Sequence, residues 1–165
     1  MTWVIDSTVV LNFGKAESLW IVDQALIETK MVVEEVKAEI LHPASVVSQL
    51  RDALAGGWLH LHRLSLDAEH AAMEALRQQR PRLGDGECAS LAVCVAYGWA
   101  LASDDRDTRR VAASRGVPVT GTTGILLRAV RRELIELPMA ESVFERMIAA
   151  GYHAPVTRLS DLMVS

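Results

Sequence analysis

The stretch "VIDSTVVLNF" (residues 4–13) passes from strand to helix around a single carboxylate. Trp3–Ile5 is a short apolar run of strand character. Asp6 interrupts it, Ser7 and Thr8 add two hydroxyls, and from Thr8 to about Phe13 the apolar residues take helical spacing. A strand that runs directly into a helix is the repeating unit of a parallel sheet, because parallel neighbours need a crossover between them.

The same alternation continues along the chain. A helical stripe is expected over Glu17–Glu28, a strand over Lys30–Val33, and a helix over Glu34–Leu41 that stops before Pro43. Ser45–Ala55 reads as a helix closed by Gly56 and Gly57, and Trp58–Leu64 as a half-exposed edge strand. Helices follow over Asp67–Gln79 and, after the turn "LGDGE", over Glu87–Tyr97. Then come a strand at Trp99–Ala102, a helix at Asp105–Arg115, a strand at Val117–Val119, and helices at Gly124–Arg132 and Glu141–Ala150. The expected fold class is α/β, a parallel sheet covered by helices on both faces. The length of 165 residues suits a single domain over residues 1–165.

In such folds the working site lies at the carboxyl ends of the strands. Asp6 ends the first strand, Asp104 and Asp105 in "LASDDRDTRR" (101–110) end a later one, and "GTTG" (121–124) follows the last. Each acid has an ordinary use as a helix cap or as a partner of a helix dipole, as for Glu87 in the first turn of its helix. Several carboxylates at one rim repel each other, however, so either some hold protons or a cation sits among them. Oxygen ligands without His or Cys point to a hard ion, Mg²⁺ or Mn²⁺, and such a site suits phosphoryl hydrolysis by an activated water.

Composition narrows the rest. Half the residues are hydrophobic and 23% charged, a globular balance, and the net charge of −4 gives no general attraction to nucleic acid. Fourteen of the seventeen basic residues are Arg. They cluster at Arg77/Arg80/Arg82, at Arg106/Arg109/Arg110/Arg115 and at Arg128/Arg131/Arg132, where they serve either ion pairs or phosphate. Arg109 lies one helical turn after Asp105, placed for a salt bridge to it or for a phosphate. Cys88 and Cys94 have no zinc spacing and read as small buried hydrophobes of a reducing compartment. No signal peptide and no membrane span is expected, which points to the cytoplasm. Trp3, Trp58 and Trp99 fall in expected strands and Trp20 in a helix stripe, so no aromatic platform for bases is evident.

The motifs "VIDSTVVLNF", "EEVKAEI" (34–40), "LGDGECASLAVCVAYG" (83–98) and "LASDDRDTRRVAASRGVPVTGTTGILLRAV" (101–130) occur in this order. With them the chain resembles the PIN-domain family, in particular a bacterial and archaeal subgroup with a "DxGE…DD..AR…G..V.GT.G.L" pattern. The resemblance implies a three-layer α/β/α sandwich with a central parallel sheet. It implies an acidic mouth that binds Mg²⁺ or Mn²⁺ and cuts RNA, often in a VapC-type toxin paired with an antitoxin and commonly a homodimer. Position by position it places Asp6 as the first acid and Glu39 of "VKAE" as the second, with Glu34 or Glu35 open if the helix register differs. Glu87 is the third, and Asp104 or Asp105 the fourth. Asp6, Glu87, Asp104 and Asp105 are the implied metal ligands. Ser7, Thr8, Arg106, Arg109 and Arg110 are the implied contacts to ligands or RNA phosphate.

Two other chemistries begin similarly. A haloacid-dehalogenase-like phosphohydrolase would use Asp6 as a nucleophile and a response-regulator receiver would phosphorylate it, and both need a late Lys; the last Lys is Lys37. A non-catalytic interaction scaffold, with its apolar helices near Trp20–Leu26 and Val143–Ile148 as a docking surface, is the alternative from a different class.

Overall fold

The computed structural model describes residues 1–163. Five strands form one parallel sheet: β1 (Thr2–Ile5), β2 (Thr29–Val33), β3 (Leu59–His62), β4 (Ala100–Ala102) and β5 (Val119–Thr120). Their order is β3-β2-β1-β4-β5, with Trp3 beside Lys30 and Ala100, and Lys30 beside Leu59. The helices are α1 (Ser7–Lys15), α2 (Trp20–Ala25), α3 (Glu34–Glu39), α4 (Ala44–Ala55), α5 (Asp67–Gln79), α6 (Asp85–Tyr97), α7 (Arg106–Ser114), α8 (Thr122–Arg131) and α9 (Leu137–Ala149). A short 3₁₀ turn at Leu159–Leu162 follows. This is the expected α/β/α sandwich.

The central strands are buried on both faces, as parallel strands must be: Val4, Ile5, Leu101, Val32 and Val33 are at most 1% exposed. Phe13 of α1, Leu91 of α6, Leu126 of α8 and Phe144 of α9 fill the layers around them. Cys88 and Cys94 are buried free thiols on α6. Among the described residues no helix is long and apolar enough to cross a membrane.

Three elements depart from the sequence reading for physical reasons. The last strand is Val119–Thr120, not Val117–Val119. The N–H of Val117 is taken by Ala112 at the end of α7, and Pro118 has no N–H to give. The pairing therefore runs through carbonyls: Leu101 donates to Pro118 O at 2.8 Å and Ser103 to Thr120 O at 3.0 Å. Helix α9 starts four residues before Glu141, with Pro138 in its first turn, where a fixed φ favours entry. Helix α2 is shorter than Glu17–Glu28, because Glu17 sits in the left-handed region at φ 52° and breaks the stripe. Trp20, read from the sequence as part of a helix stripe, is 39% exposed.

The order in which strands are added reverses between β1 and β4, which run parallel: β2 and β3 lie on one side of β1, β4 and β5 on the other. In open α/β sheets this switch point opens a crevice at the carboxyl ends of the two strands. Asp6 and Ser103-Asp104-Asp105 are the residues that leave those two ends.

Candidate functional site

The Asp6 backbone still belongs to the ladder, donating to Ala102 O at 2.9 Å, and its carbonyl accepts from Val10 to start α1. It therefore holds the N-cap position of α1, yet its carboxylate makes no capping bond across the first turn. Instead Oδ2 accepts from Ser103 Oγ at 2.7 Å and from Thr8 Oγ1 at 3.2 Å. The side chain is fully buried, and Oδ1 has no hydrogen-bond partner among the described residues. A buried acceptor left open in this way is costly unless something else meets it. Burial pushes the Asp6 carboxyl above the ordinary carboxylate range; the hydroxyls of Ser103 and Thr8 and the Ser7 amide oppose this, and the charge of Asp105 adds to it.

Glu87 reaches back from the first turn of α6 to the Gly84 N–H. Its carboxyl is also raised, by burial first and then by the charges of Asp6, Asp105 and Glu39. These couplings bring four acids from four separate elements into one electrostatic neighbourhood. Glu39, at the end of α3, accepts from Gly86 N at 2.9 Å and so stands against the α6 turn. Glu34 turns away to Arg63 at 3.0 Å, Glu35 buries its Oε2 without a partner among the described residues, and Glu39 is the α3 acid whose charge acts on Glu87. The helix register thus selects Glu39 as the acid beside Glu87.

Asp104 and Asp105 divide their work. Asp105 caps α7, its Oδ1 accepting from Thr108 N and Thr108 Oγ1, both at 2.7 Å, while its charge acts on Asp6 and Glu87. Asp104 is occupied on both oxygens. It accepts from Asn12 Nδ2 at 2.9 Å, from the Thr122 hydroxyl, from Thr122 N at 2.9 Å and from Tyr152 OH at 3.4 Å. Its own N–H donates to Thr8 Oγ1 at 2.9 Å. Asp104 is a strut between β4, α1 and the start of α8. Gly121 is required there, since a Cβ would stand 2.6 Å from Asp104 Oδ1. Asn12, Thr122 and Tyr152, which complete the strut, were not read from the sequence.

The other sequence candidates are placed as follows. Thr8 joins Asp6 to the Asp104 backbone, and Ser7 offers Asp6 its amide. Arg109 neither bridges to Asp105 nor stands free. It donates to the carbonyls of Ser103 at 2.8 Å and Thr120 at 2.9 Å, tying the ends of β4 and β5 together. Arg106 lines a cavity of about 510 Å³ with Asp104, Gly121, Tyr152 and His153. Arg110 lies on a different groove, beside Arg80 and Arg82. Tyr97 and Trp99 do stack, at 4.7 Å between ring centres, but Tyr97 ends the helix that Glu87 begins, so this pair is remote from the acids.

Among the described residues no three His, Cys, Asp or Glu side chains already stand so as to hold one ion. Three of the four acids are turned onto backbone amides: Glu39 onto Gly86, Glu87 onto Gly84, Asp105 onto Thr108. The donor set nevertheless fits a hard divalent cation. It is all oxygen, mutually repulsive, and includes the open Oδ1 of Asp6.

A family model for the PIN domain matches residues 2–164. No curated protein is significantly similar in sequence. PIN domains are generally nucleases, with nucleic acid as substrate, and typically use divalent metals. The match over nearly the whole chain agrees with the all-parallel sheet and with the acids at its switch point, and the chain belongs to the PIN-domain family.

Proposed function

We propose that this protein is a metal-dependent endoribonuclease of VapC type, one domain over residues 1–165. In this reading it acts in the cytoplasm as the toxin of a toxin–antitoxin pair, as a homodimer. The observation that carries the catalytic part is the buried Oδ1 of Asp6, without a partner among the described residues, beside Glu87, whose ionisation the charges of Asp6, Asp105 and Glu39 make costlier. Asp6, Glu87 and Asp105 would hold Mg²⁺ or Mn²⁺, with Glu39 completing the rim. Bound there, the ion supplies a water of lowered pKa and neutralises charge on the scissile phosphate.

The chain's own residues then have distinct tasks. Ser103 and Thr8 fix the Asp6 carboxylate through Oδ2 and leave Oδ1 open. Asp104 and Arg109 hold the ends of β4 and β5 rigid beneath the rim. Burial of Asp6 excludes water behind the site. The absence of Lys after Lys37 leaves a covalent aspartyl route without its partner.

The test is incubation with an RNA pool plus Mg²⁺ or Mn²⁺, beside Glu87→Gln. Hydrolysis by the wild type is expected to fall on the order of 10²-fold or more in the variant. Equal hydrolysis by both proteins would assign the cleavage to a contaminant. No hydrolysis together with no metal-induced stabilisation would favour the scaffold reading.

Gly86 offers a test of Glu39 without touching a carboxylate. A Cβ at Gly86 would stand 2.7 Å from Glu39 Oε2 and 2.9 Å from Val36 Cγ2. Gly86→Ala should move the Glu39 carboxylate off the rim and lower the hydrolysis rate about tenfold. Its stability should change little, because the helix-propensity gain of about 1 kcal/mol offsets the crowding. A double-mutant cycle with Glu39→Gln should be strongly non-additive; additive losses would show that Gly86→Ala acts other than through Glu39, and no loss in Glu39→Gln alone would place Glu39 outside the reaction.

A further inference from the structure

Two of the arginine clusters, far apart in sequence, meet in one groove. A cavity of about 460 Å³ lies between the α5–α6 turn and α7, with Arg80, Arg82 and Arg110 on its walls, Asp107 as its one acid, and Leu83 and Val111 as an apolar floor. The neighbouring arginines are already engaged. Arg77 pairs with Asp85 at 2.8 Å and Glu74 at 3.5 Å, Arg109 holds two carbonyls, and Arg115 donates to Gln79 Oε1 at 3.1 Å. Among the described residues Arg110 has only the exposed contact to Asp107 at 3.5 Å. The guanidinium groups of Arg80 and Arg82 are exposed and have no partner among the described residues. Three forks against one acid, two of them uncommitted, make a local positive strip on a chain whose overall charge is −4.

Both walls of the groove continue along the chain into residues of the acid rim. Leu83 immediately precedes Gly84, the amide that holds Glu87, and α7, which carries Arg110 and Val111, is opened by Asp105. We propose that this groove holds the phosphodiester backbone of single-stranded RNA on its way to the acids, with Arg80, Arg82 and Arg110 on successive phosphates and Leu83 and Val111 under the sugars. Guanidinium forks match phosphate geometry, and an apolar floor between them suits a flexible strand better than a rigid duplex. The proposal rests on the nuclease reading for its substrate, but it is tested by binding alone.

Anisotropy of a labelled, mixed-sequence single-stranded RNA, measured in EDTA over a salt series, reads the groove without cleavage. Arg80→Gln/Arg82→Gln is expected to weaken binding about tenfold and to flatten the log–log salt slope by about 1.4, at about 0.7 per lost phosphate contact. A charge-matched pair on α8 and α9, Arg131→Gln/Arg146→Gln, both exposed, should change neither quantity. Equal effects of the two pairs, or no effect of the first, overturn the proposal. So does competition by polyglutamate as strong as by RNA, which would assign the groove to an acidic polypeptide. Intact hydrolysis with arginine-independent binding removes the groove alone. Arginine-dependent binding without hydrolysis in Mg²⁺ removes the nuclease reading alone.

Discussion

Asp6→Asn is expected to abolish hydrolysis, by on the order of 10³-fold or about 4 kcal/mol of barrier, while making the metal-free protein more stable. The two effects have one origin. The Asp6 carboxyl titrates above its unfolded value, chiefly because it is buried. A group raised in this way stabilises the fold below its unfolded pKa and loses that contribution as pH rises through the folded pKa, so it is the ionised carboxylate that carries the penalty of burial. In the variant, Oδ1 can keep the bonds from Ser103 and Thr8. The amide N–H groups then put neutral donors where Oδ1 of Asp6 left a charged acceptor unmet. A gain of about 1–2 kcal/mol follows in EDTA at pH 7. Mn²⁺ should reverse the order. At a hundred times its Kd an ion adds about 2.7 kcal/mol to the wild type, a rise of roughly 5–10 °C in Tm, and nothing comparable to the variant. Thermal melts of both proteins across a Mn²⁺ titration check this. An identical rise in the two would show that the ion binds elsewhere.

What the sequence disclosed of this site follows the distance over which each part is encoded. Asp6, Glu87 and Asp105 sit within a residue or two of a strand end or a helix start, so a local pattern with the carboxyl-end rule is enough to bring them to one rim. Glu39 depends on the register of a single helix, and Glu34 and Glu35 competed with it until Arg63 and Gly86 separated them. Asp104 looked equivalent to Asp105. Its partners come from Asn12, Thr122 and Tyr152, which are 92, 18 and 48 residues away, and Tyr152 lies in a tail with no periodicity. Every expected strand is present, with β3 shorter than Trp58–Leu64 and β5 displaced by two residues, where a proline and the end of α7 reset the pairing. The arginine clusters were visible one by one. Their meeting in a groove is a property of how α7 packs beside the α5–α6 turn.

Glu69 shows the same limit for stability, and its replacement should have the largest effect on folding. In sequence it is an ordinary acid near the start of α5; in the fold it is fully buried. Its Oε2 accepts from Ser65 N and Leu66 N, both at 2.8 Å, and Oε1 lies 2.7 Å from His62 Nε2. Burial alone would raise its pKa. The Leu66 and Ser65 amides, the His62 ring and the Tyr97 hydroxyl outweigh burial and hold it at about 2. Relative to its ordinary value this is worth on the order of 3 kcal/mol. Glu69→Gln keeps one acceptor oxygen and loses the charge that strengthens every one of these bonds, so it should cost about 2–3 kcal/mol at pH 7, or roughly 5–10 °C in Tm. Glu69→Ala, which strands two buried amides, should cost more. The sign of the pH dependence identifies the cause. A depressed carboxyl contributes its stability above the unfolded pKa and loses it as pH falls, so the gap between wild type and Glu69→Gln should close between about pH 4.5 and pH 2. Asp6→Asn in EDTA should show a gap of opposite sign at neutral pH, which also closes in acid as the wild-type carboxyl takes up its proton. Melts of the three proteins over this range separate a buried charge that the fold satisfies from one that it leaves open; a Glu69→Gln deficit independent of pH would show that packing, not charge, holds α5 to the edge strand.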